Sequence, residues 1–159
     1  MPTIQTQFFG PLPYEPSAVL EFPRGLPGFD ERRRFLALSF PDSHPLVFLQ
    51  SVDEPALCLI TLPILAVDPQ YQLRVSNEDR ELVGLALGRP LRIGDDVLCL
   101  AVLSIRETGP TANLLAPVVV NLANLKAVQA ISPEGAYSYQ HTLLPSETPE
   151  AIPQETAAC

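Results

Sequence analysis

The chain has 159 residues, 47% of them hydrophobic, and its 18 acidic and 10 basic side chains give a net charge of −8. One domain of this size buries enough surface to fold without a disulfide or metal staple. The apolar content excludes wholesale disorder, and the negative charge argues against a protein that holds nucleic-acid phosphates. Eighteen prolines, against an average of about 5%, disfavour long helices, since an interior proline removes a hydrogen bond and costs about 3 kcal/mol.

In chain order, residues 1–17 read as a proline-rich lead-in that docks through Phe8, Phe9 and Tyr14. They lack the basic start and apolar stretch of a secretory signal. Residues 18–140 form the predicted β domain. Short apolar runs predict strands at Ala18–Phe22, Phe35–Phe40, Leu46–Val52 and Leu57–Leu62, the last two joined as a hairpin through Asp53-Glu54-Pro55. Gln72–Val75 is a further candidate strand. Ser76 then caps a helix whose first turn carries Glu78, Asp79 and Glu81, complementing the helix dipole, with Gly88 and Pro90 stopping it and Gly84 weakening its interior.

Val97–Ile105, the strongest run, does not alternate with polar residues, which predicts a strand covered on both faces. Leu114–Val120 follows, and Pro117 places an edge or a bulge there. Ala127–Ile131 and Tyr137–Gln140 complete the series. Apolar runs punctuated every 8–15 residues by turn signals predict a mainly antiparallel β sandwich or barrel. Residues 141–159, with Glu147, Glu150, Glu155, three prolines and no base, are expected to be an acidic flexible tail.

Signals for catalysis are sparse. His44 and His141 lie in turn and tail contexts without partners at metal-ligand spacing. Cys58 and Cys99 sit in apolar runs, which favours burial over reactivity, and no CxxC pair occurs. Together they favour a reducing, cytoplasmic setting. No phosphate-binding loop, dinucleotide fingerprint or nucleophile motif is present. The expectation is therefore a non-enzyme with no catalytic residues, cofactor, metal or small-molecule substrate, and no direct contact with nucleic acid. The longest apolar stretch, Ala56–Val67, is interrupted by Pro63 and too short to cross a membrane. The acids Glu78, Asp79, Glu81, Asp95 and Asp96 read either as solvated turns or as one acidic face for a basic partner. Phe29 and Tyr71 are candidate exposed apolar contacts, together with the strand holding Pro117. Asn113 and Asn121, which bracket that strand, read either as backbone-satisfying amides or as partner contacts.

Four segments in order carry a resemblance: FPRGLPGFDERRRF at 22–35, PLVFLQSVDEP at 45–55, DPQYQLRVSNEDRELVGL at 68–85 and TANLLAPVVVN at 111–121. Together they resemble the flagellar assembly factor FliW family over about residues 18–140. Arg24 departs from the acidic or polar residue often found there. The resemblance implies a small, mainly β, antiparallel barrel-like domain with one or two short helices. It also implies a cytoplasmic protein antagonist that binds the translational repressor CsrA, and binds flagellin in competition, so coupling flagellin translation to secretion. The alternative is a small acidic β-domain adaptor or chaperone with another partner.

Overall fold

A computed structural model describes residues 1–132 and 137–143. Its strands are β1 (Thr3–Ile4), β2 (Leu12–Pro13), β3 (Leu20–Glu21), β4 (Arg34–Leu38), β5 (Val47–Ser51), β6 (Cys58–Pro63), β7 (Val97–Arg106), β8 (Gly109–Asn121), β9 (Ala127–Gln129) and β10 (His141–Thr142). Two short helices, α1 (Ile64–Val67) and α2 (Asn77–Val83), lie between β6 and β7. From β3 to β8 each strand pairs antiparallel with the next, and β9 folds back on the second half of β8. Glu21 forms a parallel bridge with Lys126, and its N–H donates to the Leu125 carbonyl at 3.0 Å. That contact brings β3 beside β9 and nearly closes the ring. The barrel-like class expected from the sequence is the one observed.

Two apolar layers follow from the two-residue period of the strands. One set receives a side chain from every strand of the ring, including Leu20, Phe35, Leu49, Leu59, Leu100, Val118 and Ala127, and so fills the barrel. Alternate residues, including Phe48, Cys58, Ile60, Leu62, Cys99 and Val119, form the outer layer. Val67, Tyr71, Val75 and Val83 from the β6–β7 segment cover that layer, together with Phe8 and Phe9 of the lead-in. Phe9 packs 5.2 Å from both Phe40 and Phe48. Double coverage explains why the runs at 57–62 and 97–105 show no apolar–polar alternation.

Several elements differ from the sequence expectation. Gln72–Val75 joins no ladder. Helix α2 ends at Val83, because Gly84 adopts φ 79° and its N–H closes onto the Arg80 and Glu81 carbonyls. A left-handed C-cap glycine ends a helix outright, so Gly84 and not Gly88 is the stop. Tyr137–Gln140 forms a turn, and the strand comes directly after it as β10, paired with β8 through His141–Ala112. Leu143 is buried, so the ordered fold continues past residue 140, and it also includes the β1–β2 hairpin of the lead-in. Residues 144–159 lie outside the described residues.

Pro117 sits where the sequence places it. The β7–β8 register jumps from Leu100–Val118 to Val102–Asn113, so residues 114–117 oppose Ala101 alone. The missing proline N–H costs nothing at such a bulge.

Candidate functional site

Motif residues mostly serve the backbone. In the LQS segment, Gln50 is fully buried, and its Nε2 lies 3.1 Å from the Ser51 carbonyl, 3.2 Å from that of Leu57 and 3.3 Å from that of Pro55. Ser51 Oγ accepts from the N–H groups of Asp53 (3.2 Å) and Glu54 (2.9 Å). These two side chains build the β5–β6 turn from within. In the GLPGF turn, Gly25 has φ 66°, and a Cβ there would stand 2.5 Å from the Asp30 carbonyl oxygen. Only glycine fits that close approach.

Three of the residues singled out as contacts prove to be internal fixtures. Tyr71, expected to be exposed, is 7% exposed. Its ring lies 4.3 Å from that of Tyr137, and its hydroxyl donates to the Leu114 carbonyl at 2.7 Å. Burial pushes its phenol well above the ordinary tyrosine range. The exposed reading of Tyr71 is corrected: a phenol satisfied by a bulge carbonyl packs inward with its ring. Asn113 Oδ1 accepts from Leu115 N–H (3.1 Å) and Ala116 N–H (2.9 Å), pinning the bulge. Asn121 is buried, and its Nδ2 donates to the Val83 carbonyl at 2.9 Å, satisfying the C-terminal end of α2. For both asparagines the backbone-satisfying role is the one observed.

The acids divide by exposure. Asp79 is 8% exposed, its N–H donates to the Ser76 cap at 3.1 Å, and its carboxylate holds Arg24 at 3.0 Å. Asp96 accepts from the Arg92 N–H at 2.8 Å and lies 3.4 Å from Arg89. Glu78 and Asp95 stand 83% and 74% exposed, each with a single arginine contact, Arg24 at 3.2 Å and Arg92 at 4.0 Å. Glu81 is also exposed. Exposed pairs of this kind contribute about 0–1 kcal/mol, so these carboxylates remain exchangeable.

Asp95, Asp96 and Asn121 meet Gly84 and Leu85 around one shallow hollow at the end of α2. Glu78 and Glu81, three residues apart, share one side of the helix. Both acidic groups belong to the β6–β7 excursion, and Phe29 stands 45% exposed at the tip of the GLPGF turn, which Arg24 ties to Glu78 and Asp79. Among the described residues no group of three or more His, Cys, Asp or Glu is placed to hold a metal, and no helix is long and apolar enough to cross a membrane.

Sequence reading missed two features. Gln50 is a buried amide inside an apolar strand, and a polar residue in such a run is itself the signal. The other is a group of arginines: Arg74, Arg80, Arg89 and Arg92 are four of the chain's ten bases within 19 residues. Counting charge by segment would have found them.

A sequence model of the family described as FliW protein matches residues 3–143. The flagellar assembly factor FliW of Desulfitobacterium hafniense strain Y51 is 32% identical over 151 residues, covering 92% of this chain and 97% of the relative. That of Syntrophomonas wolfei is 28% identical over 140 residues, covering 88% and 87%. A crystal structure of the flagellar assembly factor FliW superposes with a TM-score of 0.79 at 28% identity, over 91% of this chain and 99% of the other.

Proposed function

The chain belongs to the FliW family of flagellar assembly factors, and from that premise we propose that it is a non-enzymatic, cytoplasmic binding protein that captures the translational regulator CsrA and, in competition, flagellin. The observation that carries the first half is the exposed acidic side of the β6–β7 excursion, Glu78, Glu81 and Asp95. A regulator that binds messenger RNA presents basic surface, and such surface meets clustered carboxylates with a fast, salt-dependent association. Phe29, exposed on a separate turn, is the apolar contact assigned to flagellin. Asp79 and Asp96 support this face by fixing Arg24 and the 92–96 turn.

Titration calorimetry of the purified chain with CsrA from the same organism tests this reading. The expected result is a saturable complex that weakens between about 50 and 500 mM salt and is displaced by flagellin. No binding up to about 100 μM contradicts it and favours an acidic adaptor with another partner. Changing Glu78, Glu81 and Asp95 together to lysine is expected to weaken the complex at least about tenfold.

A further inference from the structure

The same excursion carries a surface of opposite sign. Gln72–Val75, the groove side of α2 and the 88–93 segment enclose a hollow of about 560 Å³, which shares Gln72, Leu73 and Pro90 with a neighbouring one of about 450 Å³. Among the described residues, every charged one lining the two is an arginine: Arg74, Arg80, Arg89 and Arg92. Among the described residues no acid lines either, in a chain with 18 acids and 10 bases.

Arg80 is the fixed centre. It is half-buried, and its Nε donates to the Val75 carbonyl at 3.1 Å. Its Nη1 donates to the carbonyls of Ala86 and Arg89, both at 2.8 Å. Its partners are neutral carbonyls, and among the described residues no carboxylate pairs with it. A half-buried cation without a counter-charge is costly, and an incoming anion relieves that cost. Arg89 and Arg92 are 60% and 80% exposed, and their contacts with Asp96 (3.4 Å) and Asp95 (4.0 Å) are weak enough to exchange. Between the cations, Leu73 and Leu91 supply partly buried apolar surface.

We propose that this arginine-lined groove binds an extended acidic peptide segment, with carboxylates on Arg80, Arg89 and Arg92 and an aliphatic or proline side chain seated on Leu73 and Leu91. Guanidinium groups suit carboxylates because the planar fork gives two parallel, charge-assisted hydrogen bonds. The apolar floor selects a peptide over a free inorganic anion, since burying one aliphatic side chain contributes about 1.5–3 kcal/mol. The groove uses Asn77 and Arg80, one turn apart, whereas the proposed acidic face uses Glu78 and Glu81 on the adjacent side and meets the groove only where Asp95 lies 4.0 Å from Arg92. The two surfaces take partners of opposite charge, and this site does not depend on the CsrA reading.

The test titrates the full chain, labelled with nitrogen-15, with a synthetic peptide of sequence Gly-Glu-Leu-Glu-Pro-Leu-Glu-Gly, capped at both ends. Its Glu-to-Gln and Glu-to-Lys counterparts run in parallel. The expected result is saturable binding with amide shifts at residues 72–75 and 88–93, at least about fivefold weaker for the Gln peptide and absent for the Lys peptide. Arg80→Gln removes the central cation but also frees the 86–89 loop. Arg89→Glu with Arg92→Glu, both exposed, is the cleaner variant and is expected to lose binding at least about tenfold with unchanged thermal stability. Glu78→Lys with Glu81→Lys is expected to keep peptide binding. No saturable binding to about 1 mM, equal binding of the Gln peptide, shifts that map elsewhere, or full affinity in the Arg89→Glu/Arg92→Glu variant would each overturn the proposal.

Discussion

The barrel and the β6–β7 excursion spend their polar residues differently. In and around the barrel, Gln50, Ser51, Asn113 and Asn121 turn inward and satisfy main-chain groups. In the excursion, Glu78, Glu81, Arg89, Arg92 and Asp95 point to solvent and hold at most weak, exchangeable pairs. The inward polar residues therefore describe how the chain turns, and the exposed charges of the excursion describe what it can touch. A motif residue that fixes a turn tolerates little change, while a surface charge can alter with its partner at small cost to the fold.

Tyr71 and Cys99 sit in the layer where the two regions meet, and alkaline pH is the strongest way to break that layer. Burial raises the Cys99 thiol from its ordinary value of 9.0 to about 12, and raises Tyr71 as well. The unfolded chain therefore loses these protons at lower pH than the folded chain. Their contribution is complete below pH 9 and is lost as pH rises toward 12, at about 1.4 kcal/mol per pH unit for each group in its window. Urea titrations across this range check it, and Cys99→Ala should flatten the fall.

Changes in the barrel turns come next. Gly25→Ala forces a Cβ against the Asp30 carbonyl in a left-handed backbone, and is expected to cost about 3 kcal/mol and lower Tm by about 10 °C. Gln50→Leu removes the amide that gathers the β5–β6 turn, for an expected loss of about 2 kcal/mol by urea denaturation. At the junction, Tyr71→Phe deletes only the hydroxyl bond to Leu114 and should cost about 1 kcal/mol. Its local signature is faster hydrogen exchange in residues 71–76. Smallest is the lysine triple variant at Glu78, Glu81 and Asp95, whose stability should stay within about 0.5 kcal/mol of the parent per site. A large stability loss there would erase the distinction between scaffold and contact surface.

Much of the barrel was legible in the sequence because its signals are local. The uniform apolarity of Val97–Ile105 reports coverage on both faces, and Pro117 reports the bulge. Ser76 reports the helix cap. What escaped depends on tertiary placement. Gly84 reads as a weak helix residue until its left-handed conformation is seen capping α2. Tyr71 reads as a surface aromatic until the β8 bulge offers it a carbonyl. The two-residue strands β1, β2 and β10 are too short for any periodicity to register. In the candidate surface, the acids were visible as adjacent carboxylates, but only the fold separates the exposed Glu78, Glu81 and Asp95 from Asp79 and Asp96, which are tied into structure.

The central claim is that partners meet the excursion while the motif turns hold the scaffold. Amide chemical-shift mapping of the nitrogen-15-labelled chain during titration with CsrA tests it most directly. The largest changes are expected within residues 64–96, centred on Glu78, Glu81 and Asp95, with the β5–β6 turn and the 113–121 strand little changed. Shifts concentrated on Gln50–Glu54 or on Asn113–Pro117, with residues 77–96 unmoved, would contradict it.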